Sequence, residues 1–138
     1  MAKIPVRAVL DTNILISAII FGGNPRKIIE LVQNSRLIAI TSPVLISELT
    51  EILVKKFHFT QDKIYFVEEL IKENFVLVQP REVLDIVRDK DDNRVIEAAI
   101  TGKCQYIVTG DADLLDLKMF QEIKIISSEI FLEEQGII

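Results

Sequence analysis

One cysteine, Cys104, and one histidine, His58, are all that the chain offers for soft-metal binding or for thiol and imidazole catalysis. A single cysteine excludes an intramolecular disulfide and argues against a thiolate metal site. A Cys–His pair would require the two residues to meet in space, and His58, between Phe57 and Phe59, reads instead as a structural residue at a helix end. A serine–histidine–aspartate arrangement would depend on the same histidine, and no G-x-S-x-G elbow is present. Long apolar runs are also missing. The longest, Ile14 to Phe21, falls well short of the roughly 20 residues a membrane span needs. Met1 to Pro5 lack the apolar segment and cleavage pattern of a secretory leader, so a cytoplasmic protein is expected. Positive charge is in deficit as well: 16 Lys and Arg stand against 21 Asp and Glu, a net charge of −5. That balance opposes a nucleic-acid partner, whose phosphates normally meet a basic surface. The objection weakens if several of the acids are gathered around one cation.

What is present is apolar content of 49% in 138 residues, enough for one domain spanning residues 1–138 with a continuous core. Short strand-like runs fall at Val6–Leu10, Leu37–Thr41, Phe75–Val78, Tyr106–Val108 and Ile123–Ile126. Helical stretches separate them. The first is expected from Asn13 to Ile20, and the second from Asn24 as N-cap, with Pro25 at the first helical position, to about Ser35. Ser42-Pro43 opens a third that runs to about Lys56, and Thr60 caps a fourth carrying Ile64, Val67 and Ile71. A helix from about Asp91 ends at Gly102, and Ser127 or Ser128 caps a last one finishing near Gly136. Strands alternating with helices predict an α/β fold, a three-layer α/β/α sandwich on a central parallel sheet. In such sheets the site lies beyond the strand C-terminal ends, where the strand order reverses.

The carboxylates are the candidates for chemistry. Asp11 follows the first strand directly, between two apolar stretches, where a charge is costly unless a cation or donors offset it. Asp111 follows the fourth strand in the same way, after Thr109-Gly110, and Asp113 is suited to an Asx-type turn into Leu114-Leu115. Glu48 lies on the helical circumference between Val44 and Ile52, inside the predicted apolar arc. Asp92 precedes Val95, Ile96 and Ala99 by three, four and seven residues, so it shares their face, although it or its neighbours Asp89 and Asp91 could instead cap the helix. Four acids converging without a cation would raise one another's pKa values and destabilise the fold. An all-oxygen set suits Mg2+ or Mn2+ better than zinc. Such an ion orients a water and neutralises phosphoryl charge, which points to phosphodiester hydrolysis.

With these residues collected, the chain resembles PIN-domain ribonucleases. The resemblance is carried by V-L-D-T-N-I-L-I-S-A at Val9 to Ala18, L-I-S-E-L-T-E-I-L at Leu45 to Leu53, D-K-D-D-N-R-V-I-E-A-A at Asp89 to Ala99, and Y-I-V-T-G-D-A-D-L-L at Tyr106 to Leu115. It implies a magnesium- or manganese-dependent endonuclease acting on single-stranded or structured RNA. Asp11, Glu48, Asp92 and Asp111 match the acidic site that holds the metal, with Asp113 at a further acidic position. Asn13 matches an asparagine that helps order the site, and Thr109 a hydroxyl residue beside the last acid. Many small members are toxins of toxin–antitoxin pairs and form homodimers, so an antitoxin protein and a second copy are the implied partners.

Other readings remain at this stage. A stand-alone RNA-processing nuclease would share every one of these features, and so would an RNA- or protein-binding module with an inert acidic pocket. An aspartyl-phosphate enzyme using Asp111 and Asp113 is disfavoured by Leu114 and Leu115, where a haloacid-dehalogenase-like pattern wants threonine or valine. Basic residues available to a substrate backbone are Arg26, Lys27, Lys55, Lys56, Arg94 and Lys103.

Overall fold

Successive side chains of a strand point to opposite faces, so a strand covered on both sides must be apolar at consecutive positions. The computed structural model, which describes residues 4–138, shows that arrangement. Met1, Ala2 and Lys3, part of the segment read above for a leader, lie outside the described residues. In chain order the elements are β1 (Val6–Leu10), α1 (Thr12–Ile20), α2 (Gly23–Gln33), β2 (Leu37–Thr41), α3 (Pro43–Phe57), α4 (Gln61–Asn74) and β3 (Val76–Leu77). There follow α5 (Lys90–Thr101), β4 (Tyr106–Val108), α6 (Ala112–Leu117), β5 (Met119–Phe120), β6 (Ile123–Ile126) and α7 (Ser128–Glu134). Ala8, Leu10, Leu37, Ala39 and Val108 pack on one side of the sheet with Ile14, Ile28, Leu49, Val67 and Phe131. Val9, Ile40, Ile107 and Ile125 pack on the other with Ile96, Ala99 and Leu114. Two cores on one sheet make the three layers.

The sheet order is β3-β2-β1-β4-β6-β5. All pairs are parallel except β5 with β6, so the sheet is mixed at one edge where a wholly parallel one is expected. The antiparallel edge strand is only two residues long and turns into β6 through Gln121 at φ 54°, without an Asn-Gly or Asp-Gly signal that would announce the turn. Asn24 is not the cap of α2. The helix begins two residues earlier than expected, at Gly23, with Gly22 in the cap position at φ 89°, a conformation that glycine adopts without strain. Thr60 and Ser127 cap α4 and α7 as expected.

Gly102 closes α5 where helix and sheet approach most tightly. A Cβ there would lie 2.6 Å from Ile40 Cγ2 and 3.1 Å from the Ala98 carbonyl oxygen. Arg7 Nε also donates to the Gly102 carbonyl at 2.8 Å, tying β1 to the same corner. Gly102→Ala is therefore expected to destabilise the protein by about 1–3 kcal/mol through overpacking, read as a lower denaturant midpoint with an unchanged m-value.

Candidate metal centre

β1 sits between β2 and β4, so the chain that runs outward to β2 and β3 returns on the far side of β1 to form β4. The strand order reverses between β1 and β4, which opens a crevice beyond their C-terminal ends. Asp11 N–H donates to the Val108 carbonyl at 2.9 Å, carrying the β1–β4 ladder one residue past the strand and placing Asp11 at the crevice floor. Thr109, fully buried, joins the two strand ends. Its hydroxyl donates to Asp11 Oδ2 at 2.6 Å and accepts from Asp111 N–H at 2.9 Å.

The caps decide which acids are free. Asp89 caps α5, its Oδ1 accepting from Asp91 N–H at 2.9 Å, which leaves Asp92 without a capping role. Asp92 is 8% exposed on the inner face of α5, and its Oδ2 is buried with no hydrogen-bond partner. Asp111 caps α6 by accepting from Leu114 N–H at 3.1 Å, so the turn role assigned above to Asp113 belongs to Asp111. Asp113 is left in the first turn of α6. One carboxylate oxygen each from Asp92, Asp111 and Asp113 lies within 4.8 Å of the others.

The electrostatics agree with the crowding. Burial, followed by the nearby Asp111 carboxylate, pushes Asp92 up to about 8. Asp11 is also raised, chiefly by burial, against the lowering effect of the Thr109 hydroxyl. Glu48 rises to about 7, again mainly by burial, with Asp91 and Asp11 adding repulsion. Its place differs from the expected apolar arc: Val44 is 46% exposed, the buried stripe of α3 is Leu45, Leu49 and Leu53, and Glu48 is half-buried at the stripe's edge. It faces the crevice beside Thr12.

Charge repulsion of this kind, with a buried carboxylate oxygen left unbonded, is what a set of residues suited to hold a cation presents. The donors are all oxygens, which suits a hard divalent cation of the magnesium or manganese type. Thr12, also buried there, has its hydroxyl beside Glu48, where it favours the charged carboxylate.

Of the residues named from the sequence, Asp11, Thr109, Asp111, Asp113 and Asp92 meet at this crevice, and Glu48 lies at its side. Asn13 is exposed on α1 and forms no side-chain hydrogen bond with the acids among the described residues. Sequence reasoning missed Thr12, buried one residue before Asn13, and Arg88, whose Nη2 lies 3.8 Å from Asp113 Oδ2. Nothing in the local pattern marks Arg88, because the segment before α5 has no period to read.

The comparisons with known proteins follow the same residues. A family model described as the PIN domain matches residues 7–113, a span that includes every acid named above. An uncharacterized protein of Methanocaldococcus jannaschii is 32% identical over 123 residues, covering 86% of this chain and 79% of that protein. Among solved structures, the crystal structure of VapBC2 from Rickettsia felis bound to a DNA fragment from their promoter is similar in fold. The TM-score is 0.63 at 15% identity, over 88% of this chain and 98% of that one. With the family model spanning most of the sequence and both strand-end acids within it, the chain belongs to the PIN-domain family.

Proposed function

We propose that the protein is a divalent-metal-dependent endoribonuclease that hydrolyses phosphodiester bonds of single-stranded RNA. The observation that carries this reading is the buried, unbonded Oδ2 of Asp92, on a residue whose carboxylate meets those of Asp111 and Asp113 at the strand-order reversal. Asp11, Asp92 and Asp111, with Asp113 beside them, would hold Mg2+ or Mn2+, which when bound lowers the pKa of a water and offsets phosphoryl charge. Thr109 fixes Asp11 by its hydroxyl and holds the Asp111 backbone, so the two strand-end acids keep a constant separation. Glu48, half-buried at the side of the crevice, would ligate the ion or position its waters. Asn13, at the mouth on α1, would meet solvent or substrate and is proposed as a supporting residue.

The test is cleavage of a labelled single-stranded RNA with Mg2+ or Mn2+, with excess chelator, and in Asp11→Asn and Asp111→Asn. Each substitution and the chelator should lower the rate by at least about 100-fold while leaving the circular dichroism spectrum unchanged. Undiminished cleavage in chelator, or full activity in either variant, would remove the proposal.

We further place the protein as the toxin of a toxin–antitoxin pair, a reading supported by the VapBC2 fold similarity and by an apolar groove. The groove, about 490 Å³, is lined by Leu15, Ile19, Ile29, Phe66 and Leu70, and Phe66 remains 64% exposed. A patch of this kind is a usual mark of a protein-interaction surface. The reading includes a homodimer and a cytoplasmic location, and sedimentation of the purified chain tests the dimer.

A further inference from the structure

Between β3 and α5 the chain runs from Gln79 to Asp89 without helix or strand, so its backbone polar groups have no ladder to pair with. Side chains of α5 supply the pairing. Asn93 Oδ1 accepts from Ile86 N–H and Val87 N–H, each at 2.9 Å, and Asn93 Nδ2 donates to the Val87 carbonyl at 2.9 Å. One turn further on, Glu97 Oε2 accepts from Leu84 N–H at 2.7 Å and pairs with Arg94 at 2.8 Å. Arg94 in turn donates to the Leu84 carbonyl at 3.1 Å. Asn93 and Glu97 are both buried, a costly place for polar groups unless each is bonded. The result is a strap held rigidly at Leu84 to Val87, immediately before Arg88 and Asp89.

That anchoring fixes the chain at the edge of the acidic crevice. Asp89 caps α5 there, and Arg88 reaches Asp113 with a guanidinium whose side chain is 89% exposed. Among the described residues this is the one ion pair made by the clustered acids. An exposed pair at 3.8 Å contributes little to stability, so the guanidinium is free to exchange Asp113 for a better anion. A phosphodiester offers paired oxygens that match the guanidinium fork. Three of the six cations named from the sequence are already engaged, Arg26 with the Ala18 carbonyl, Lys55 with Glu51 and Arg94 with Glu97, whereas Arg88 is the one paired with an acid of the cluster. On a chain of net charge −5 a polyanion needs such a contact close to the acids.

We propose that Arg88 binds a phosphate of the RNA substrate beside the acidic crevice, and that Asn93 is its positioning residue, acting by clamping the strap. This rests on the nuclease reading given above. The experiment compares steady-state cleavage and salt-dependent binding of a fluorescent single-stranded RNA oligonucleotide, in Mn2+, by the full chain and by Arg88→Ala, Arg88→Lys, Asn93→Asp and the double variant Arg88→Ala with Asn93→Asp. Arg88→Ala should raise KM about 10-fold with kcat within about threefold, and lower the slope of log affinity against log salt by about 0.7. Arg88→Lys should recover part of the loss. Asn93→Asp retains the acceptor for two strap N–H groups but sets a carboxyl oxygen against the Val87 carbonyl, so the clamp loosens and KM rises, with a circular dichroism spectrum like that of the full chain showing that the variant folds. Because Asn93 acts through Arg88, the double variant should have the KM of Arg88→Ala alone.

An unchanged KM and salt slope in Arg88→Ala, with a wild type that cleaves, overturns the role of Arg88 and leaves the nuclease reading standing. Additive increases in KM overturn the positioning role of Asn93. A wild type that binds Mn2+ in calorimetry yet neither binds nor cleaves the oligonucleotide overturns the nuclease reading, and the Arg88 proposal with it.

Discussion

Asp92→Asn is expected to melt higher than the wild type when both are metal-free, by about 3–4 °C, the shift that about 1 kcal/mol produces in a domain of this size. The same variant should lose RNA cleavage and the stabilisation that Mg2+ or Mn2+ gives the wild type. Asparagine matches aspartate in volume, neither ionises nor has to take up a proton, so it removes the cost that burial and Asp111 impose on the carboxyl, and it can donate to the Asp111 carboxylate. A residue that lowers stability where it stands, yet is retained for its chemistry, behaves this way on neutralisation. For the wild type a cation at 100 times its dissociation constant adds about 2.7 kcal/mol, and that gain should vanish in the variant. Scanning calorimetry with chelator and with added cation measures both effects. An Asp92→Asn protein that melts below wild type in chelator and still responds to metal would contradict the assignment.

The second large effect is in pH. Asp11, Glu48 and Asp92 all have folded-state pKa values above their ordinary ones, with Glu48 near 7 and Asp92 near 8. Between the unfolded values, about 4 for such carboxyls, and those folded values, the folded state binds more protons than the unfolded state. Stability of the metal-free protein should therefore fall as pH rises through that window, from about 4 to about 8, and level off above it. Below the unfolded values this contribution is fully present. Metal binding requires the ionised carboxylates, so its affinity should rise over the upper part of the same window and binding near pH 7 should release protons. Thermal melts across pH with chelator, beside calorimetric titrations in buffers of different ionisation enthalpy, give the two opposed trends. A metal-free protein whose melting temperature climbs from pH 5 to pH 8 would refute the burial of these charges.

Asp11 and Asp111 were legible because each comes just past the end of a mainly apolar strand, and a parallel sheet sends both strand ends to one edge. Asp92 was legible from helical spacing, but the choice between cap and site was not. Three aspartates within four residues can each cap, and only the backbone geometry assigns that role to Asp89. Glu48 was read from a stripe that included Val44, which the fold leaves exposed, since residues near a helix start contact solvent as readily as core. β5 and α6 went unread because two and six residues are too few to show a period. Asn93 and Glu97 are four apart on α5 and share its buried face, yet their partners are backbone groups of an irregular segment, which carry no side-chain code.

The Thr109 hydroxyl bond to Asp11 spans 98 positions of the chain. Closing so long a loop is among the later events in folding, since its entropy cost precedes any compensating contact. During synthesis Asp11 emerges first and has neither its Thr109 partner nor Asp111 beside it until β4 docks against β1. A chain terminated before the fourth strand keeps Asp11, Glu48 and Asp92 but lacks Asp111, Asp113 and the Thr109 hydroxyl that joins the two strand ends. The strand order thus makes assembly of the acidic crevice a late event.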